Sequence, residues 1–456
     1  MLLPKILDPF IARSPVSVMV RGTLQRLFDG ESLQVVFDDH AQRQYTRKLT
    51  FFHCIRVMSD VVFKTVPSVS AWYETYGQEL AATRQALYEK LNHMEPGVSG
   101  ALVRHSAEVL MPVVREMKHL PAALLPGYRV RVLDGNHLTG TEHRLVELRR
   151  LRAATLPGQS LALYDPQFDL VTDVVCCEDA YAQERTMLPE ILRRIVPGDC
   201  LVADRNFCTT GFLAAIDVLP AFFVIRQHAT LKPKALGERR RAGKDEHGRM
   251  LYEQWVEVSE ARTGRTLKLR RITIQLKKPT KDGEMEIHLL TNLPEKDADA
   301  VKVASLYADR WTIEHAFEHL TEDLRCEIDT LAYPRAALFG FCVAVMAYNA
   351  VSAVKSATRA AWGEEFVEEE LSMFYLTLEV ARVNEGMEIA VEERHWEIFA
   401  RMNDEEFGQT LMDLAGRMRL SQYRKHKRGP KRPPPKKISG RERHHVSTFR
   451  LLAQRK

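Results

Sequence analysis

The sequence predicts an α/β protein: a β-β-β-α-β unit followed by helices, with a helical segment in front, a β-rich insertion inside and a basic tail behind. Three observations predict it. Apolar residues recur at helical spacing up to about residue 125, the pattern changes to short apolar runs from Tyr128 onward, and positive charge accumulates after Tyr423.

Residues 1–125 read as a helical domain. Leu87, Leu91 and Met94 fall on one helical face, and a Pro-Gly break at Pro96-Gly97 opens a second helix. Two helices joined this way suit a helix-turn-helix that docks in a DNA groove, and equally a small bundle. Residues 126–220 supply the first half of the core. YRVRVLDGNHL, SLALYDP and QFDLVTDVVCC read as three strands, AQERTMLPEILRRIV as an amphipathic helix and CLVADRNF as a fourth strand. Residues 221–294 read as the β-rich insertion, with AFFVIRQ, LYEQWVEVSE, LKLRRITIQLK and EIHLLTNL as strands between turns rich in Gly and charge. Residues 295–420 return to helix and complete the core, and 421–456 form the tail.

Composition excludes several classes. An apolar fraction of 45% and a charged fraction of 27% belong to a folded globular chain. The N-terminal residues, interrupted by Pro4, Lys5 and Asp8, lack the continuous apolar core of a signal peptide. The apolar run 337–354 carries Asn349 and Ser352 and reads as a buried core helix, so no membrane partner and a cytoplasmic location are expected. The seven cysteines form no CxxC pair and are expected as free thiols.

Net charge is +5, unevenly spread. From Arg417 to Lys456 there are 15 Lys/Arg against one acid, Glu442, so this end carries +14 and the rest −9. A tail that mixes prolines with cations such as Lys425, Lys427, Arg428, Lys431 and Arg432 has no core of its own and suits a polyanion, nucleic acid first.

The chemistry is carried by acids at strand ends. Asp134 follows the first strand and Asp204 the fourth, while Glu314 lies on a helix in RWTIEHAF. Three carboxylates brought together repel one another, and a divalent cation with a taste for hard oxygen ligands relieves this: Mg²⁺, with Mn²⁺ as substitute. Two such ions suit in-line attack on a phosphodiester. On one helix Tyr307, Arg310 and Glu314 share a face, which sets an arginine suited to DNA phosphate beside the glutamate. His315 and His319 flank Glu318 but lack the HExxH order and a third ligand for zinc. Trp311 and Trp255 are expected in the packed interior.

These motifs together resemble the bacterial insertion-sequence transposases with a DDE triad, specifically the insertion-sequence-four family. Similar pieces run over most of residues 70–355: Asp134-Gly135, Asp204-Arg205-Asn206-Phe207, Leu289 to Pro294, and Tyr307, Arg310 and Glu314 of a Y-x2-R-x3-E-x6-K signature. The gaps of 70 residues between the aspartates and 110 to the glutamate leave room for the insertion. The resemblance implies an RNase H-like core and Asp134, Asp204 and Glu314 as catalytic, metal-binding residues, with Glu318 as the rival third acid. It further implies Tyr307, Arg310 and Arg205 on DNA, double-stranded transposon ends and target as substrate, and a homodimer in the DNA complex. Two positions depart: Thr321 stands where the signature has lysine, and Ile287 where some relatives have a tryptophan. A catalytically silent, DNA-binding descendant is the alternative.

Overall fold

The computed structural model describes residues 3–44, 48–138, 141–142, 145, 156–280 and 283–426. The described residues up to Arg424 fold as one compact unit. The tail residues Lys427, Arg428, Lys431 and Arg432 lie outside the described residues.

Among the described residues seven α-helices come first: α1 (Asp8–Arg13), α2 (Pro15–Leu27), α3 (Gly30–His40), α4 (Phe51–Val62), α5 (Val69–Tyr76), α6 (Arg84–Asn92) and α7 (Pro96–Glu116). The predicted pair at 83–116 is present as α6 and α7, and Leu87, Leu91 and Met94 are fully buried. The proline at the start of α7 sets its first turn, where no N–H partner is lost. From Val98 to Ala107, α7 is buried on nearly every side and packs on α12 (Pro334–Trp362) and β3 (Leu170–Cys177). Its first half is a core helix, whereas Glu108 and Arg115 in its second half are exposed.

The strands are β1 (Arg129–His137), β2 (Gln159–Asp165), β3, β4 (Asp199–Ala203), β5 (Phe222–Arg226), β6 (Lys234–Ala235), β7 (Arg240–Lys244), β8 (Met250–Ser259), β9 (Thr266–Gln275) and β10 (Glu286–Thr291). They join in one sheet ordered β3-β2-β1-β4-β5-β10-β9-β8-β6, with β7 beside β8. β1, β2 and β3 form an antiparallel meander, whereas β4 lies parallel to β1 and β5 parallel to β4. The segment at 222–226, read with the insertion, is thus a neighbour of β4. The insertion itself does not form a separate sheet: β10 pairs antiparallel with β5 and extends the same one. Between β3 and β4 the expected long helix is a turn of 3-10 helix, Glu184–Met187, then α8 (Leu188–Leu192).

Alternation along each strand sends side chains to opposite faces, and both are covered. Val130, Val132, Val202 and Val224 join a large core with the helices of residues 1–125 and α12, whereas Leu133, Leu201, Ala203, Phe223 and Ile225 join a smaller one with α8 and α9 (Thr210–Val218). The remaining helices are α10 (Ala300–Ala308), α11 (Trp311–Glu322), α13 (Met373–Ala390), α14 (Glu397–Arg401) and α15 (Asp404–Ala415). α12 is long and apolar enough to cross a membrane by composition, but its most apolar 18-residue stretch is entirely buried within the protein, as a core helix would be. The seven cysteines are all free thiols.

Candidate active site

Strand register brings the two aspartates together. β1 and β4 run parallel with Leu133 opposite Ala203, so the next residue on each is an aspartate, Asp134 and Asp204. β4 ends there while β1 continues to His137 along β2. Asp134 keeps the parity of Val130 and Val132, and Asp204, still extended at φ −76° and ψ 171°, that of Val202. Both therefore face the layer containing α11.

Glu314 lies in the first turn of α11. The expected single helix is broken: Tyr307 closes α10, and Arg310 is the residue preceding α11. Asp309 and Arg310 stay in right-handed helical conformation, and Arg310 and Thr312 bond three residues back, to Tyr307 and Asp309. Because the break is a tightening and not a change of hand, the three- and four-residue neighbours still meet.

Arg310 links two of the acids. Its Nη1 donates to Asp134 Oδ2 at 2.9 Å and its Nη2 to Glu314 Oε1 at 2.8 Å. Asp204 is reached from the other end of the motif, where the Tyr307 hydroxyl donates to its Oδ1 at 3.3 Å. Arg226, at the end of β5, lies near Tyr307 and pairs with Glu284, which lies 3.8 Å from Arg205. The six sequence-predicted residues of the core thus fall in neighbouring sets: Arg310 joins Asp134 and Glu314, Tyr307 joins Asp204, and Arg205 meets Arg226 across Glu284. Glu318 belongs to none of them: it is exposed, with its Oε2 3.2 Å from His315 Nδ1.

Charges in these sets are strained by burial. Desolvation pushes the Asp134 carboxyl up to about 6, helped by Glu314 and Asp204, while Arg310 and the Gly135 N–H act the other way. Burial, then Asp204, raises the Tyr307 hydroxyl to about 12, so it stays protonated and donates. Three mutually repelling hard-oxygen acids are a donor set that suits a divalent cation. Among the described residues no three His, Cys, Asp or Glu side chains are gathered closely enough to hold an ion, and Arg310 bridges the space between Asp134 and Glu314.

Two groups escaped the sequence. Glu184, in the β3–β4 connection, lays its carboxylate against Gly135, and its Oε2 accepts from Asn206 at 3.5 Å. Arg226 ends its strand much as Asp204 follows the end of β4, so the strand-end criterion applied to cations would have found it. Trp311 and Trp255 are also placed differently from expectation. Trp311 is 58% exposed, with the Arg310 guanidinium 5.3 Å from its ring, and Trp255 is partly exposed under Lys268. His315 and His319 pair with Glu318 and Asp323 and, among the described residues, face no third ligand.

Residues 126–350 match the family described as the transposase DDE domain, from just before β1 to the middle of α12. Over 133 residues the chain is 29% identical to a Sinorhizobium fredii protein named "Putative transposase y4zB", a stretch that covers 29% of this chain and 35% of that relative. Only about a third of the relative's length is thus matched. Among solved structures, the piggyBac transposase in its synaptic complex with hairpin DNA is similar at a TM-score of 0.34 and 8% identity, over 85% of this chain and 84% of that one. All three acids, Asp134, Asp204 and Glu314, lie inside the span that is similar to a transposase DDE domain.

Proposed function

We propose that this chain is a DNA transposase with an RNase H-like core, of the insertion-sequence-four family, that binds the terminal inverted repeats of its mobile element, cuts the DNA there and joins the freed 3′-OH to target DNA. The observation that carries the reading is the convergence of Asp134 and Glu314 on Arg310, with Asp204 in register beside Asp134, inside the span that is similar to a transposase DDE domain. The strand order β3-β2-β1-β4-β5 supports the core assignment.

Asp134, Asp204 and Glu314 would hold Mg²⁺, or Mn²⁺ in its place. When bound, such ions activate the attacking oxygen and neutralise charge on the leaving one. The protein's own residues do the rest. The sheet fixes the aspartates on adjacent strands, Asp134 within β1 and Asp204 just past β4, Tyr307 orients Asp204 through its hydroxyl, and the helix start carries Arg310 and Glu314 to the site. Cutting and joining are both displacements at phosphorus, so one set of carboxylates serves both. Arg205 and Arg310 supply cations for DNA phosphate, as do Lys425, Lys427, Arg428, Lys431 and Arg432 of the tail. Surfaces of the helices at 1–125 would recognise the ends. Two ends imply a homodimer on DNA, and the protein would act in the bacterial cytoplasm at the nucleoid.

One observation favours the second reading, a silent DNA-binding descendant. Thr321, in the place of the signature lysine, turns its hydroxyl back to Phe317 O at 3.0 Å and brings no cation to the site. Asp134→Asn separates the two. The transposase reading expects end-binding to survive while cleavage in Mg²⁺ falls by at least about a hundredfold, the scale of losing a metal ligand's transition-state charge stabilisation; an element whose mobility is unchanged by the substitution would refute it.

A further inference from the structure

Arg310 is an unusual neighbour for a cation site. Its side chain is 10% exposed, and its two terminal nitrogens are both spent on carboxylates of the cluster, Asp134 and Glu314. Its Nε is buried with no hydrogen-bond partner among the described residues. A guanidinium can donate five hydrogen bonds in a fixed fork, and leaving one N–H buried and unmet costs about 1–3 kcal/mol. The present pairing is therefore tolerated and not optimal for the arginine. It is favourable for the acids, because without a positive group between them Asp134 and Glu314 repel each other in a poorly solvated place. The other two arginines lie on the Asp204 side, Arg226 near Tyr307 and Arg205 facing it across Glu284.

A divalent cation taken up by these acids would need the oxygens that Arg310 now occupies. Two positive groups at ion-pair distance repel by about 1–4 kcal/mol per pair of unit charges at effective dielectric constants between water and a protein surface, so guanidinium and metal compete. We propose that Arg310 is a resident counter-ion: it holds Asp134 and Glu314 together while the site lacks metal, yields its place to a divalent cation, and on release turns its fork to DNA phosphate. This rests on the proposed function, in that the acids must be cation ligands. It adds that the same arginine suppresses metal uptake before DNA is present, so that metal and DNA bind cooperatively. Arg310 is then a positioning residue whose removal strengthens metal binding while weakening the DNA complex, a pairing that a purely structural role does not produce.

The test is Mn²⁺ binding to the full chain without DNA, read by electron paramagnetic resonance of the free ion, in wild type, Arg310→Gln, Arg310→Lys and Glu314→Gln. Arg310→Gln is expected to bind Mn²⁺ at least about tenfold more tightly than wild type, the low end of that charge repulsion, with Arg310→Lys between them. Its melting temperature without metal should lie below that of wild type and recover in Mn²⁺. Equal or weaker Mn²⁺ binding by Arg310→Gln overturns the counter-ion role. If that variant does not fold alone, recovery of its circular dichroism on adding Mn²⁺ supports the proposal and absence of recovery overturns it. Glu314→Gln that binds Mn²⁺ as wild type does removes the functional reading itself, a result distinct from failure of the arginine's role alone.

Discussion

At the scale of single residues, three acids and two of their partners were legible because each carried a local signal: an aspartate after an apolar strand, or residues three and four apart on a helix. Arg310 was legible as a neighbour of Glu314, but its bond to Asp134, 176 positions away in sequence, was not. Nothing in a sequence reports which side of a guanidinium faces which strand. The same limit hid Asp60. On α4 it is buried, accepts from Trp72 Nε1 at 2.7 Å, and is raised to about 7, first by burial and then by Glu388. In the folded state it therefore keeps a proton that the unfolded chain, with an ordinary carboxylate, gives up. Between about pH 4 and pH 7 the native state binds more protons, so this group's contribution to stability falls as pH rises, by at most about 1.4 kcal/mol per unit. Asp60→Asn should flatten that slope: its urea midpoint should gain on wild type at about pH 8 relative to about pH 5, either side of the folded-state titration. Parallel midpoints at both pH values would contradict the assignment.

At the scale of elements, β1 to β4 and the helices at 84–116 were legible from period alone, since strands with both faces buried and helices with long apolar faces leave strong patterns. The membership of β5 was not. FFVIR is as apolar in an insertion as beside β4, and only the parallel pairing with Cys200 to Ala203 tells them apart. The packing of α7 on β3 was equally hidden, because helical spacing does not report which element a helix meets. A glycine decides it: at Gly100 a Cβ would run into the Val174 carbonyl oxygen, so helix and β3 touch backbone to backbone. Since backbone cannot swing aside as a side chain does, Gly100→Ala should cost about 1–3 kcal/mol. A destabilisation below a few tenths of a kcal/mol in chemical denaturation would show that helix and strand approach less closely than described.

At the scale of the whole molecule, charge was read from the sequence more securely than domain structure. The excess of 15 cations over one acid needs only counting. Domain boundaries depend on packing, and one core runs from Leu7 through α7 and α12 to Tyr423, so helices on both sides of the sheet region in sequence share an interior. Periodicity marks where an element lies, not which distant element it meets. Deleting the residues after Tyr423 removes most of the cations of the tail, and the slope of log affinity for DNA against log salt should become shallower, by roughly 0.9 for each phosphate that the tail neutralises. An unchanged slope would exclude the tail from the DNA interface. The central claim, that Asp134, Asp204 and Glu314 form a working phosphoryl-transfer site, is tested most directly by a cleavage and strand-transfer assay on the element's own flanking ends in Mg²⁺, wild type against Glu314→Gln. Metal-dependent cut and joined products that disappear in the variant are the predicted result. End-binding with no cleavage by wild type, in Mg²⁺ and in Mn²⁺ alike, would contradict it.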